Sequence, residues 1–288
     1  MKRFSPFVLG LSIAVAGSML AAAQETPSDF KVLQVTREYT KPYKNGMAHD
    51  KTESAFVQAM TKAKFPAYYV GLTSMSGKSR SLYLTLYGSF AEWEKDNKLV
   101  DKNPALGAEL ERDSVADGEL LDSTDSLIYT FDKDLSYKPR PDLIHARYME
   151  ISVFHVKPGH RRDWQKLAKI VKDAHDKGGT SAHWSMYEIA YGTQDGEYVA
   201  LSADNSMADI DTGFAENKKF MDALGEDGLK EFRELMTATV DYSRSELFSI
   251  NPKQSYVSEE WIKAEPDFWK PKPMAKPAAK PAAEEKKP

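Results

Sequence analysis

Apolar and polar residues alternate along 31–40 and again along 146–156, the period of two expected of half-buried strands. A helical period follows each, over 47–64 and 160–175. In the second of these, Trp164, Leu167, Ala168, Val171 and Ala174 fall on one stripe, while Arg161, Arg162, Lys166, Lys169 and Lys172 cover much of the rest. Hairpins come next: 67–76 with 82–87 about Gly77, and 183–191 with 197–202 about Thr193 to Gly196. Helices near 105–121 and 215–240, each followed by a last strand, complete the series. The predicted order is β, α, β, β, α, β, written twice.

The two halves also resemble each other residue by residue. DSTDSLIYTFDKDLSY, Asp122 to Tyr137, aligns with DYSRSELFSINPKQSY, Asp241 to Tyr256, and matches at Asp122, Ser126, Ser136 and Tyr137. Ala105-Leu106-Gly107 aligns with Ala223-Leu224-Gly225, and Gly77 with Gly192. Three matching segments in one order point to a tandem duplication, with small loop insertions between them.

This order is that of the ferredoxin-like split βαβ unit. Helices on one face of such a sheet leave the other face uncovered, and a tandem copy supplies a second sheet to cover it. The chain here resembles the dimeric α/β-barrel superfamily. Val156-Lys157-Pro158-Gly159-His160 is similar to the V-x-P-G-x turn before the first helix in its NIPSNAP-like and monooxygenase-like branches. The resemblance spans about residues 30–258 and implies a fold. It does not imply one activity, because unrelated chemistries share this scaffold. The expected class is α+β: two tandem ferredoxin-like βαββαβ units, 24–140 and 141–260, with sheets packed face to face.

Strand alternation then predicts which side chains point between the sheets. Taking Leu82, Leu84, Leu86, Met149, Ile151, Val153, Val199 and Leu201 as helix-facing leaves Tyr83, Tyr87, Tyr148, Glu150, Phe154 and Tyr198 inside. Setting Met75 opposite Leu82 and Tyr191 opposite Tyr198 adds Tyr68, Val70, Leu72, His183, Ser185, Tyr187 and Ile189. The predicted ligand pocket is therefore Tyr68, Tyr83, Tyr87, Tyr148, Tyr187 and Tyr198. His183 and Glu150 are its candidate catalytic groups, since they are the interior residues able to move a proton near neutral pH. The same tyrosines and histidine could instead satisfy one another and merely hold the halves together.

Of the other histidines, His49 and His160 are expected exposed in the first turns of their helices, and His155 on the helix-facing side. No pair has a metal-site spacing, and no metal is expected. No cofactor is expected either. Haem-binding relatives of the superfamily, resembling chlorite dismutases, hold haem through one histidine of the second copy, which makes His175 the axial candidate in that alternative.

The chain ends carry other signals. Lys2 and Arg3, the apolar run 7–20 and Ala21-Ala22-Ala23 read as a signal peptide over 1–23, giving an exported, periplasmic or extracellular protein with no membrane insertion after cleavage. Cysteine is absent, so neither disulfides nor thiolates contribute. Without Lys2 and Arg3 the 39 basic residues become 37 against 43 acidic ones, which argues against a nucleic-acid partner. The Pro, Ala and Lys-rich stretch 261–288 reads as a disordered tail able to contact a cell-wall polymer. Taken together, these signals point to an exported protein that binds a small ligand between its sheets, with room for a cofactor-free activity. A haem enzyme and a cell-envelope interaction protein are the alternatives, and a homo-oligomer is open to all three.

Overall fold

The computed structural model describes residues 31–140 and 143–270; the expected signal peptide and positions 271–288 of the expected tail lie outside the described residues. The first half runs β1 (Val32–Thr40), α1 (Met47–Ala63), β2 (Tyr69–Ser74), β3 (Arg80–Tyr87), α2 (Phe90–Asp101), α3 (Pro104–Gly118) and β4 (Leu121–Tyr137). The second runs β5 (Tyr148–Val156), α4 (Arg161–Gly178), β6 (Trp184–Tyr191), β7 (Glu197–Asp204), α5 (Met207–Thr239) and β8 (Val240–Ile250). A 3₁₀ turn at Pro252–Gln254 and two short helices, α6 (Glu259–Ala264) and α7 (Pro266–Trp269), follow. Among the described residues no helix is long and apolar enough to cross a membrane.

Helix α2 is absent from the predicted series, although its start is legible. The Ser89 hydroxyl accepts from the Glu92 backbone N–H while the Glu92 carboxylate accepts from Gly88 N–H, a reciprocal arrangement close to a capping box. Residues 261–270 were expected in the disordered tail, yet they hold most of α6 and all of α7. Trp269 is buried against Trp261 and Phe268, apolar area that the proline content of the segment outweighs in a composition-based reading.

The strands form one closed barrel in the order β1-β3-β2-β8-β5-β7-β6-β4, antiparallel throughout. Two separate stacked sheets were expected; instead the edges of the two halves are hydrogen-bonded into a single barrel. Strand β4 is 17 residues long, so it pairs with β1 through its first part and with β6 through its second. Strand β8 joins β5 to β2 through only Leu72↔Ile250, Thr73↔Ser249 and Ser74↔Phe248. The chain beyond β8 extends that seam through reciprocal backbone bonds between Tyr69 and Tyr256. Closure leaves no unpaired edge to attract another chain.

Gly71 sits in this seam. An added Cβ would lie 2.3 Å from the backbone oxygen of Gln254, which cannot move without breaking the seam. Gly71→Ala is therefore expected to destabilise the fold by about 1–3 kcal/mol through overpacking. A guanidinium titration showing parental stability would contradict this close approach.

The barrel interior is aliphatic. Leu33, Val35, Val70, Leu72, Leu82, Leu84, Leu127, Met149, Ile151, Val153, Val199 and Phe248 form one buried cluster. This reverses the predicted facing of three strands. Leu82, Leu84, Met149, Ile151, Val153 and Val199 point inward, and Tyr83, Phe154 and Tyr198 point outward beneath helices. Phe154 and Tyr198 pack on Trp164 of α4 at 5.2 and 5.4 Å, and Tyr87 stacks on Trp93 of α2 at 5.6 Å. Both hairpin registers differ from expectation by three residues: Leu72, not Met75, faces Leu82, and Glu188, not Tyr191, faces Tyr198. An odd slip exchanges the faces of one strand relative to its partner. Hence Val70, Leu72, Tyr187 and Ile189 were placed correctly on β2 and β6, and β3 and β7 were inverted. The dry environment that aliphatic side chains seek is the closed interior, whereas helices cover the outside only partly.

Two histidines also differ from expectation. His155 faces inward and stacks on Tyr242, ring centroids 5.2 Å apart. His49 is fully buried beneath α1. Burial by itself would lower its pKa, but hydrogen bonds to Asp117 and Glu38 outweigh it and raise the value to about 10.

Candidate functional site

One end of the barrel is filled by charge. Arg37 meets Asp125 through two hydrogen bonds of 2.5 and 2.8 Å, Arg80 meets Glu246 at 2.5 Å, and the Tyr129 hydroxyl donates to Glu197 at 2.7 Å. Between these groups and the aliphatic layer remains a void of only about 40 Å³. The opposite end is open, with a cavity of about 700 Å³. Leu33, Val70, Leu84, Met149 and Leu201 form the floor of this cavity; Ser185, Tyr187 and Ala203 line a wall, and Tyr68 and Trp261 stand at the mouth. Glu92, Lys95, Asp96, Arg140 and Glu260 bring charges of both signs to its rim.

Four of the sequence-predicted residues meet here: Tyr68, Tyr87, Tyr187 and His183. Tyr83, Tyr148, Tyr198 and Glu150 do not line it. Tyr148 and Glu150 share the outward side of β5, alternating with Met149 and Ile151 of the core. The pair proposed for proton transfer is thus not assembled in the cavity. Burial, and then the nearby Asp204 charge, push the Glu150 carboxyl above its ordinary value, with His183 opposing them, but Glu150 does not line the cavity. Of the floor residues, Val70 was expected inside, whereas Leu84, Met149 and Leu201 were assigned to the helix side; the barrel closure that turns them inward is not a local signal.

His183 is held rigidly. The Glu216 carboxylate accepts from the Ser181 backbone N–H and hydroxyl at 2.6 and 2.8 Å, which fixes the loop before β6. The imidazole Nδ1 lies 3.2 Å from Ser181 O and Nε2 lies 2.9 Å from Ala203 O. Both partners are acceptors, so each ring nitrogen that bonds must do so as a donor. Both nitrogens thus face backbone carbonyls, and a neutral ring donates to only one of them at a time. His183 therefore shapes the wall. Tyr187 supplies the deeply buried phenol of that wall, its pKa pushed well up by burial.

His175, the axial candidate for haem, is closely surrounded. Its Nδ1 is 2.8 Å from the Thr180 hydroxyl, its face stacks on Phe220 at 4.5 Å, and Tyr137 and Trp184 flank it at 5.9 and 5.7 Å. It does not line the barrel cavity. Aromatic side chains fill its surroundings, and these residues do not fit a haem.

Solved structures share the architecture. An anthrone oxidase-like protein superposes with a TM-score of 0.52 at 11% identity, over 82% of this chain and 97% of its own. A candidate monooxygenase from Fusobacterium nucleatum superposes with a TM-score of 0.50 at 10% identity, over 77% of this chain and 92% of its own. No family model matches the chain, and no curated protein does. At such identities the likeness establishes the fold: mixed α+β, with strands closed as in dimeric α/β-barrel proteins.

Proposed function

We propose that this is an exported protein, built from two tandem ferredoxin-like repeats of the monooxygenase-like or NIPSNAP-like kind, that binds a small and largely apolar ligand at the mouth of its barrel. The cavity carries this reading. Its volume lies within the roughly 300–1,000 Å³ range of small-molecule sites, and an aliphatic floor with a few placed polar groups is how such sites are made.

The repeat reading is supported by equivalent hydrogen bonds. Ser136 Oγ accepts from Met186 N–H and donates to Asp132 O; Ser255 Oγ accepts from Gly71 N–H and donates to Asn251 O. Helices α1 and α4 both end in a left-handed residue, Lys64 and Gly179, with matching capping bonds. The strand order β4-β1-β3-β2 equals β8-β5-β7-β6. Tyr68 and His183 fall at the same place in the two halves, and both line the cavity. Export rests on the 1–23 segment, and a cell-wall contact would rest on the tail; both lie outside the described residues.

A titration with the neutral fluorophore N-phenyl-1-naphthylamine tests the site. Saturable enhancement is expected, and Ser185→Trp, which places an indole in the cavity, should weaken binding tenfold or more while the melting temperature shifts by only a few degrees. Unchanged binding in that variant would remove the cavity from consideration.

A further inference from the structure

Helix α4 docks on its sheet through Trp164, Leu167, Ala168 and Ala174, an ordinary apolar contact. Helix α1 buries His49, Glu53 and Ala59 instead, and α3 buries Asp113 and Asp117 beside Leu106. In the repeat alignment, which rests on the reading above, His49 stands where α4 has Trp164 and Glu53 where it has Ala168. Glu38 stands where β5 has Phe154, and Asp117 where α5 has Met236. In the second half these four residues belong to one apolar cluster. The same four places in the first half hold one imidazole and three carboxylates.

Their geometry is convergent. His49 Nε2 lies 3.1 Å from Glu38 Oε2, 3.4 Å from Asp117 Oδ1 and 4.0 Å from Glu53 Oε1. One donor atom from each residue lies within 4.8 Å of all the others. These spacings bracket the ~3.4 Å edge of a tetrahedron with metal–ligand bonds of about 2.1 Å. His49 Nδ1 lies 3.4 Å from the Ser81 hydroxyl, the kind of partner that orients the ring of a ligating histidine. The Thr52 hydroxyl donates to Asp117 Oδ1 and holds that carboxylate toward the centre.

The cluster is also incomplete as it stands. Glu53 is only 4% exposed, and its Oε1, aimed at the other three groups, has no hydrogen-bond partner. The buried Tyr83 hydroxyl beneath the same helix faces Glu53 without closing a hydrogen bond of normal geometry. Among the described residues, no lysine or arginine pairs with Glu38, Glu53 or Asp117, so three carboxylates share one imidazole. An unsatisfied buried carboxyl is costly, and a divalent cation at the centre, displacing the His49 Nε2 proton, would satisfy it.

We propose that Glu38, His49, Glu53 and Asp117 bind one divalent first-row transition ion, of the Mn²⁺, Fe²⁺ or Zn²⁺ kind, which fastens α1 and α3 to the barrel. Carboxylates alone suit Ca²⁺ and Mg²⁺, but the imidazole shifts the preference to the transition series, and the absence of sulfur disfavours Cu(I). With four protein donors and a buried centre, the site is structural in kind. It is separate from the barrel cavity, whose lining includes none of the four residues.

The test uses the full chain, stripped with a chelator and titrated separately with Zn²⁺, Mn²⁺ and, anaerobically, Fe²⁺, with Ca²⁺ as the comparison. The chain should bind one equivalent of at least one of these ions, which raises the melting temperature by about 5–10 °C at a hundredfold excess over Kd. Glu53→Gln and Asp117→Asn should lose most of that shift. If these variants fold poorly, X-ray absorption of the loaded parent decides, with one nitrogen and three oxygens expected at about 2.0–2.2 Å. Three results would each overturn the site: no stoichiometric binding of any of the three ions, an equal shift with Ca²⁺, or a ligand shell of a different composition. Because no cavity probe is involved, failure here leaves the barrel-mouth reading standing, and failure of that reading leaves this one.

Discussion

Glu246→Ala is expected to lower the unfolding free energy by about 3–5 kcal/mol, the usual consequence of removing one partner of a buried ion pair. The Glu246 side chain is 14% exposed and that of Arg80, its partner at 2.5 Å, only 7%. Arg244 lies 3.5 Å from the same carboxylate, so removing Glu246 leaves two guanidinium groups at the charged end of the barrel without this acceptor. The cost comes from the charge left behind. Replacing Arg80 by Met together with Glu246 by Leu should accordingly recover most of the loss, since an apolar pair of similar volume needs no counter-charge. Denaturant titrations of both variants separate the possibilities. A double variant as unstable as Glu246→Ala alone would show that lost packing, not stranded charge, was responsible.

Phe248→Ala should cost a comparable amount, about 3–5 kcal/mol, for a different reason. Phe248 is completely buried and lies opposite Ser74 in the short β2–β8 seam. With only three register pairs joining the halves there, the ring supplies much of the apolar contact that keeps the barrel closed at that edge. Its face also receives the Arg80 guanidinium, 4.9 Å from the ring centroid. Phe248 and Glu246 therefore share a neighbour, and their losses should not add. Additivity within about 0.5 kcal/mol, measured by the same titrations, would rule out coupling through Arg80.

The order of elements was legible because periodicity is a local property. The strand of 31–40, the two hairpins about Gly77 and Thr193 to Gly196, and the amphipathic stripe of α4 are all found near their expected positions. Helix α2 was missed for want of an apolar stripe; none of its residues is buried. Tyr68, Tyr87 and Tyr187 reach the cavity with His183, while Tyr83, Tyr148 and Tyr198 do not, and no periodicity argument distinguishes these two groups of tyrosines. The His49 cluster left no local trace either. His49 and Glu53 are one helical turn apart, but Glu38 lies in a strand and Asp117 in another helix, a separation that spacing rules do not cover.

The sequence by itself determined the series of strands and of the helices other than α2, α6 and α7, the matching of its two halves, and the alternation that divides each strand into an aliphatic and an amphipathic side. These depend on neighbours a few residues away, and the chain carries them wherever it goes. Only the tertiary structure decided which side is the inside. That choice belongs to hairpin register and barrel closure: an odd shift between two strands exchanges their faces, and the β4–β6 and β8–β2 seams form between residues far apart in the chain. Closure made the aliphatic side the dry interior and left one end of it open as a cavity. It turned the outward polar side of β1 toward two helices, where Glu38 meets His49 and Asp117.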